Sequence, residues 1–291
     1  MITPSPHRLP ELWTVRTPSG ARVCRREGER FLPAQRAWLR EEMSLLRLFV
    51  GNDFRARYRA QALGVLWSLL QPLVMMAILS LVFTRAFHSD EPHFPIFLLI
   101  GLLVWQWTSN ALNAATSAFV AQADMVKRTV FPRALLPLAS VLSYGVNGAI
   151  ESLALVALIP FFPGAFIASP ALIAIPGVLG CLIVLLSGAS LAVSVLNVIY
   201  RDVAYLVSTS LLILYWLTPV VYPPHILPER FQPYFAWNPL GAILNSLRGV
   251  IMHGQLPTSA DWLHMAAPSL VVAGIGWMIF RHQESEMLDH V

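Results

Sequence analysis

Six long apolar segments constrain the fold of this chain more than any other feature. They cover approximately residues 64–86, 94–121, 134–162, 170–199, 204–222 and 262–280. A helix needs about 20 apolar residues to cross the hydrocarbon of a bilayer, and backbone hydrogen bonding excludes irregular spans there. With 56% hydrophobic and 12% charged residues, the composition does not suit a soluble globular surface. The sequence therefore predicts an all-α polytopic membrane protein with six transmembrane helices.

The distribution of basic residues predicts the orientation of those helices. If the N-terminus is inside, 17 of the 20 Lys and Arg residues lie on the inner side. The other three are Arg85, Arg230 and Arg248. An excess of Lys and Arg marks the cytoplasmic side of a membrane protein. We therefore expect both termini in the cytoplasm, which an even number of spans allows.

An amphipathic helix is expected at residues 33–62, before the first apolar segment. Apolar side chains such as Leu39, Met43 and Leu46 recur there at helical spacing, with arginines on the other faces. We interpret this pattern as a helix in the membrane interface, with an ordinary soluble helix as the alternative. Residues 1–32 are rich in Pro and Arg without a sustained period, which indicates a polar extension, either disordered or a small cap.

Polar residues repeat at helical spacing within three of the apolar segments. They are Gln106, Asn110, Asn113 and Ser117 in the second, Ser140, Tyr144, Asn147 and Glu151 in the third, and Ser187, Ser190, Ser194 and Asn197 in the fourth. Lipid cannot satisfy such groups, so we expect these helix faces to contact protein or an aqueous passage. Interhelical hydrogen bonding without a functional role is the alternative for each residue.

Glu151 is the acidic residue placed nearest the middle of a span. An ionised side chain there costs about 3 kcal/mol on insertion, so we expect it to be protonated, paired or facing water. The sequence offers no ionisable partners at similar depth for a proton relay. Glu151 therefore has either a role in a passage or subunit interface, or a hydrogen-bonded structural position.

Two inner connections carry exposed charge. The first combines Asp124, Lys127 and Arg128 with the apolar Val126 and ends at Pro132. An amphipathic turn of helix that ends at a proline suits the docking of a soluble partner, although a solvated, positively charged turn is the alternative. The second connection is shorter and is centred on Arg201 and Asp202.

The outer segment between the fifth and sixth spans is too long for a simple turn. Asn238 and Pro239 are a typical N-cap and first helical residue, which predicts a helix over residues 240–253. Fourteen residues rise only about 21 Å, too little to span a bilayer. We therefore expect a re-entrant or interfacial hairpin, whose first half carries the aromatic residues Phe231, Tyr234, Phe235 and Trp237.

Several of these stretches together resemble a known family. RYRAQALGVLWSLLQPLVMM, FPIFLLIGLLVWQW, DMVKRTVFPRALLPL, NVIYRDV, WLTPVVYP and WNPL followed by Arg248 resemble the permease subunits of ABC-2 type exporters. The most similar branch exports O-antigen, capsule or teichoic acid. The resemblance runs from about residue 45 to 281. It implies a six-helix domain over 63–281, a cytoplasmic tail at 282–291, a homodimer, and location in the bacterial inner membrane.

The resemblance also assigns residues to roles. It implies contact with a separate ATP-binding subunit by Asp124, Met125, Lys127, Arg128, Arg201 and Asp202. It places Arg55, Arg57, Tyr58 and Arg59 at the end of the interface helix, and Trp237, Asn238, Pro239 and Arg248 in the outer re-entrant hairpin. Gln61 and Ala62 depart from the small hydroxyl residue that many relatives carry, and the arginine-rich start exceeds the family pattern.

The residues themselves argue against an enzyme. Lys127 is the single lysine, and it lies outside any GxxxxGK[ST] phosphate loop. ATP and Mg are therefore expected on a partner subunit, with no cofactor or metal on this chain. The eight histidines are scattered, and the two cysteines support neither a disulfide framework nor a metal site.

These inferences combine into a hypothesis of mechanism. Two copies enclose a passage formed partly by the first, second and fifth spans, through which a lipid-linked polysaccharide such as O-antigen moves. Candidate passage residues are Trp105, Trp107, Asn110, Asn113, Tyr144, Glu151, Trp216 and Tyr222. Aromatic rings near helix ends are also typical of the membrane interface, which is the alternative for the Trp and Tyr residues. Export of a small amphiphile, lipid or drug is the alternative function.

Overall fold

The computed structural model describes residues 14–16, 22–24, 31–59, 64, 66–86, 92–128, 131–223 and 237–290. Residues 1–44 and 45–291 form two compact units, and each is described by itself. In the first unit, β1 (Thr14–Arg16) pairs antiparallel with β2 (Arg22–Cys24). The sequence pattern does not predict this pair, because strands of three residues are too short to show alternation.

Helices make up most of the rest of the described chain. They are α1 (Phe31–Tyr58), α2 (Leu66–Ala86), α3 (Phe94–Ala121), α4 (Ala123–Arg128), α5 (Leu135–Leu158), α6 (Ile175–Ile199), α7 (Val203–Leu217), α8 (Pro239–His253) and α9 (Ser259–His290). Within the described ranges, five helical stretches are long and apolar enough to cross a membrane. They lie in α2, α3, α5, α6 and α9, with short 3-10 turns extending α5 and preceding α6. The prediction of a helical, polytopic membrane protein is confirmed.

The fifth apolar segment forms a shorter helix than the sequence predicts. α7 has 15 residues and ends at Leu217, five positions before the predicted boundary. Thr218 has an extended backbone with φ −106° and ψ 136°, and Pro219 follows it. A residue before proline is disfavoured in the helical region, and proline has no N–H to continue the ladder. The segment 218–223 therefore continues α7 without being helical.

α1 and α2 are separate helices, although the sequence shows no interruption between them. α1 ends at Tyr58 and α2 begins at Leu66. Gly64 lies between them with φ 49°, a left-handed conformation that favours glycine. The basic helix and the first apolar helix are thus two elements and not one continuous helix.

Buried apolar residues mark two ends of the helical bundle in the unit 45–291. At one end, here called the α4 end, Phe119, Val126, Val198 and Phe280 belong to one cluster. It joins the last turns of α3, α6 and α9 to α4. At the other, the α8 end, Ala171, Ala174 and Val250 cluster beside Trp262 at the start of α9. Consecutive long helices therefore run in opposite directions.

α6 and α9 approach each other through glycines. A Cβ added at Gly188 of α6 would lie 2.6 Å from the backbone nitrogen of Ala273 in α9, which is too close for any real contact. Gly276 faces the Gly188 carbonyl in the same crossing. Small residues at such positions let the two backbones pack closely where water supplies no hydrophobic driving force. This crossing fixes α9 against the bundle.

Candidate functional site

A groove of about 930 Å³ runs between α2, α3 and α7. Its lining combines apolar residues with amides, hydroxyls and aromatic rings. The polar members are Gln71, Gln106, Ser109, Asn110, Asn113 and Ser208, and the aromatic members are Trp67, Trp105 and Tyr215. Three predicted passage residues, Trp105, Asn110 and Asn113, lie in this groove. Its three helices are the first, second and fifth spans of the sequence hypothesis.

The polar side of the groove connects α3 to α7. The Ser208 hydroxyl donates to the Asn113 side-chain oxygen at 3.2 Å. The Asn113 amide nitrogen in turn donates to the Ser109 carbonyl at 2.8 Å, one turn earlier in α3. The exposed Asn110 side chain lies on the same face. Hydrogen-bonding groups thus line the groove over two turns of α3.

Two of the aromatic rings of the groove, Trp105 and Tyr215, lie nearer its α8 end, whereas Trp67 is at the start of α2. Trp105 and Tyr215 meet edge-on with ring centroids 5.2 Å apart. Trp216 stands beside Tyr215 at 5.5 Å, is 58% exposed, and is outside the groove lining. The Tyr222 hydroxyl donates to the Trp216 carbonyl at 2.7 Å. Of the predicted residues, Trp216 therefore lies in the last turn of α7 beside the groove, and Tyr222 lies beyond the end of α7.

Trp107 lies on the opposite face of α3 from the groove. It is buried, and its indole nitrogen donates to the Val141 carbonyl of α5 at 3.0 Å. A Cβ at Gly145 would be 2.7 Å from the indole ring, so the two helices are in tight contact. The structure gives Trp107 a packing position between α3 and α5, apart from Trp105.

The last turns of α1 contact the polar face of α5, and we call this contact the α1–α5 junction. Arg57 forms an ion pair with Asp53 at 2.6 Å, with side chains 20% and 36% exposed. The same guanidinium nitrogen donates to the Ser143 hydroxyl at 3.3 Å, and the guanidinium lies 3.6 Å from the centroid of the Tyr144 ring. Tyr144 is thereby placed at the junction rather than in the groove.

A hydrogen-bonded chain extends the junction into α5. The Tyr58 hydroxyl donates to the side-chain oxygen of Asn147. The Asn147 amide nitrogen donates to a Glu151 carboxyl oxygen at 2.6 Å. Glu151 is 3% exposed and lies outside the groove lining. The polar spacing along α5 could have suggested partners for these residues, but it does not identify α1 as their source. Arg55 and Arg59 are exposed.

At the α8 end, Arg248 is buried in what we call the Arg248 cluster, with Phe97, Pro219 and Val220. Its guanidinium donates to the carbonyls of Pro219 and Val220, each at 2.7 Å, and to the Phe97 carbonyl at 3.2 Å. It also lies 3.4 Å from the Phe97 ring centroid. Sequence reasoning placed Arg248 on the outer side without assigning partners. The structure shows that it joins α8 to α3 and to the segment after α7.

Asn238 caps α8, as the sequence predicts. Its side-chain oxygen accepts from the Leu240 and Gly241 nitrogens, and Pro239 is the first residue of the helix. The side-chain amide donates to the Thr218 hydroxyl at 3.0 Å, so the same residue holds the end of α7. Trp237 is exposed and meets the His264 ring. Residues 224–236, with the other aromatic residues expected in the hairpin, lie outside the described ranges, as do Gln61, Ala62 and Arg230.

α4 forms a small projecting helix at its end of the bundle. Val126 is buried in the apolar cluster, whereas Asp124, Lys127 and Arg128 are exposed. Met125 packs partly against the same cluster. Arg201 and Asp202 are exposed in the turn before α7. The predicted docking residues thus lie in two places, on α4 and in the turn before α7, and both are at the α4 end of the bundle.

The chain is similar in sequence to a known protein family and to several named proteins. Residues 44–252 match the family described as ABC-2 type transporter. An O-antigen export system permease protein, RfbA, of Klebsiella pneumoniae is 30% identical over 215 residues, covering 73% of this chain and 82% of the relative.

Two further relatives extend over more of the sequence. An O-antigen export permease RfbA of Myxococcus xanthus is 27% identical and covers 85% of this chain and 95% of its own length. The polysialic acid transport protein KpsM of Escherichia coli is 26% identical, and the match covers 81% of this chain and 92% of the relative. Because the family match covers most of the sequence, the chain belongs to the ABC-2 type transporters.

Proposed function

We propose that this chain is the permease subunit of an ABC exporter that moves a lipid-linked polysaccharide, such as O-antigen, across the bacterial inner membrane. The groove between α2, α3 and α7 carries this proposal, because it places amides and aromatic rings side by side. Amide and hydroxyl groups can exchange hydrogen bonds with sugar hydroxyls. Flat rings can contact the apolar faces of sugars while a chain slides past.

The groove supplies one half of the passage, and a second copy supplies the other. Its open side is flanked by large exposed apolar residues of α2 and α7, including Trp67, Val74 and Leu212. Exposed apolar residues beside polar amides suit a subunit seam as well as lipid. Among soluble homo-oligomers the two-fold dimer, in which each copy presents the same surface, is the commonest closed assembly. A homodimer therefore encloses a passage with two equivalent walls.

Two separate ATP-binding subunits supply the energy and hold ATP and Mg. α4 supports this proposal, because Val126 anchors it while Asp124, Lys127 and Arg128 remain exposed. A short helix that is held by a buried apolar residue and exposes charged residues suits docking on a soluble partner. Arg201 and Asp202 add a second, smaller contact. The relatives' names refer to export and transport, which agrees with a membrane subunit.

Six spans, with both termini in the cytoplasm, complete the topology. α7 crosses as the fifth span with the help of the segment 218–223, whose residues Thr218 to Val221 are buried. α1 lies in the cytoplasmic interface, and α8 is the described half of an outer re-entrant hairpin. The excess of basic residues on the side of α1 and α4 supports this orientation.

The decisive experiment is purification of this chain with the ATPase encoded beside its gene, followed by reconstitution in proteoliposomes. Lipid-linked glycan should stimulate ATP hydrolysis, and Trp105→Ala should reduce that stimulation because it removes a groove ring. Trp277→Ala, on α9 outside the groove, is the matched control and should leave stimulation intact.

The opposite pattern would contradict the proposal. Stimulation by small amphiphiles or drugs, with no response to glycan, would assign the chain to the alternative kind of exporter. Equal effects of the two Trp variants would remove the groove from the substrate path.

A further inference from the structure

The α1–α5 junction is the principal feature that the proposed function leaves without a role. α1 ends at Tyr58, and Gly64, with φ 49°, precedes the start of α2. The end of α1 is held instead by side-chain contacts to α5, through Arg57 and Tyr58. A helix joined to its neighbour by side chains can shift without breaking the backbone hydrogen bonds of either helix.

Asn147 has the central position in this junction. Its side-chain oxygen accepts from Tyr58, and its nitrogen donates to Glu151 at 2.6 Å. An amide presents one acceptor and one donor side, so the two contacts fix its orientation together. Loss of the Tyr58 hydroxyl leaves the Asn147 oxygen without this donor and frees the amide that orients the Glu151 carboxyl.

α5, which holds Asn147, is in turn packed against α3. Trp107 of α3 donates to the Val141 carbonyl at 3.0 Å, and its ring fills the space above Gly145. The tight Trp107–Gly145 contact can transmit a displacement between the two helices, although the same ring also borders a cavity of about 370 Å³ between α3, α5, α6 and α8. Two residues away from Trp107 in sequence, Trp105 lines the groove on the other face of α3. α5 is therefore packed directly against the helix that forms one wall of the groove.

α1 also contacts the loop that follows α4. The Phe49 and Phe131 rings lie with centroids 5.5 Å apart, and both pack against the apolar cluster of the α4 end. α1 therefore touches the α4 region through Phe49 and α5 through Tyr58. The contacts form a continuous route from the exposed charges of α4 to the groove.

We propose that Tyr58 and Asn147 are positioning residues that couple the α4 docking surface to the groove through α1, α5 and α3. This inference rests on the proposed export function and deepens it. Breaking the Tyr58–Asn147 contact separates ATP hydrolysis from export while the complex remains assembled. The Tyr58–Asn147 contact is needed for coupling, whereas apolar packing between the helices maintains the fold.

Tyr58→Phe is the sharpest test, because it removes one hydroxyl and keeps the ring that packs on Phe54. We expect export per ATP hydrolysed to fall about fivefold, because one hydrogen bond contributes about 1 kcal/mol and this corresponds to about a fivefold change in an equilibrium constant. Copurification of the ATPase and the basal hydrolysis rate should stay at the wild-type level. Tyr205→Phe removes a hydroxyl from an exposed α7 ring and is the matched control, with export unchanged.

Two further variants separate coupling from general stability. Asn147→Leu should lower export per ATP to a similar extent, and Tyr58→Phe added to it should cause no further loss, because both remove the same contact. Glu151→Gln keeps an oxygen that accepts from Asn147 and should retain coupling, whereas Glu151→Leu should lose it.

A Lys127→Glu/Arg128→Glu variant provides the reference for a docking defect, with copurification lost. Tyr58→Phe with wild-type export per ATP overturns the inference, as does a parallel loss of copurification and hydrolysis, which would indicate a structural role alone. Failure of the proposed function is distinct, because the wild-type complex itself would then export no polymer.

Discussion

Two arginines, the partly buried Arg57 of the α1–α5 junction and the buried Arg248 of the Arg248 cluster, are held in different ways. Arg57 contacts side chains: it pairs with Asp53 at 2.6 Å and lies over the Tyr144 ring. Arg248 donates to backbone carbonyls of Phe97, Pro219 and Val220, and it is only 4% exposed. Each guanidinium also faces an aromatic ring, at 3.6 Å and 3.4 Å respectively.

The difference indicates which end of the bundle is fixed. The break after α7 leaves carbonyls without helical donors, and in a membrane such groups must be satisfied within the protein. Arg248 satisfies two of them, so its contacts are required in any conformation that keeps the break. The contacts of Arg57 are made to side chains alone, so they can open without taking a donor from a backbone carbonyl. We infer a fixed α8 end and an adjustable α1–α5 junction.

Replacement of Arg248 by Met should have the largest effect on stability. Buried carbonyls of α3 and of the 218–223 segment would lose their donors, each costing about 1–3 kcal/mol. We expect a lower melting temperature of the purified protein and poor recovery from the membrane, measured by fluorescence-detected size-exclusion chromatography after heating.

Arg248→Lys is the comparison variant. Lysine keeps the charge but lacks the planar arrangement of five donors, so the melting temperature should lie between those of the wild type and the Met variant. Equal melting temperatures for all three proteins would show that the break does not depend on Arg248.

Only part of this comparison follows from the sequence. The apolar runs determine where the long helices lie, and Asn238 with Pro239 correctly predicts the start of α8, because both signals are local. The partners of the two arginines depend on tertiary contacts. Arg248 reaches Phe97 across 151 positions, and Tyr58 reaches Asn147 across 89. A polar residue in a span requires a partner, but its spacing does not say which one.

The end of α7 shows a different limit. Hydropathy continues to Tyr222, so the pattern predicts a helix that far, although Pro219 prevents it. Turn chemistry at Thr218 and Pro219 overrides the apolar run. The sequence signal for this break was present, whereas its compensation by Arg248 required the fold.

Gly101→Ala sharpens the comparison by crowding the Arg248 cluster without removing a charge. A Cβ at this position would lie 2.6 Å from a terminal guanidinium nitrogen of Arg248 and would also meet the Val220 carbonyl. Overpacking of this kind costs about 1–3 kcal/mol. The melting temperature should fall, by less than in Arg248→Met.

Gly180→Ala in α6 is the matched control, because nothing lies within 4 Å of the added Cβ. Alanine is a better helix former than glycine, so this variant should be as stable as the wild type or slightly more stable. A loss of stability in Gly180→Ala equal to that in Gly101→Ala would show that the effect does not come from the Arg248 cluster.

Asp53→Asn should give the smallest change in stability, and its dependence on salt distinguishes the two ends. The Asp53 side chain is 36% exposed, so its ion pair with Arg57 contributes about 0.5 kcal/mol. Salt screens exposed pairs, so the small difference in melting temperature between the wild type and Asp53→Asn should shrink as salt is raised. The difference between the wild type and Arg248→Met should persist, because buried hydrogen bonds to backbone carbonyls are screened much less.

Glu286→Gln, an exposed change in α9, controls for the loss of one negative charge. A salt-independent effect of Asp53→Asn would mean that the junction is as fixed as the Arg248 cluster, and the adjustable contact would then have to lie elsewhere.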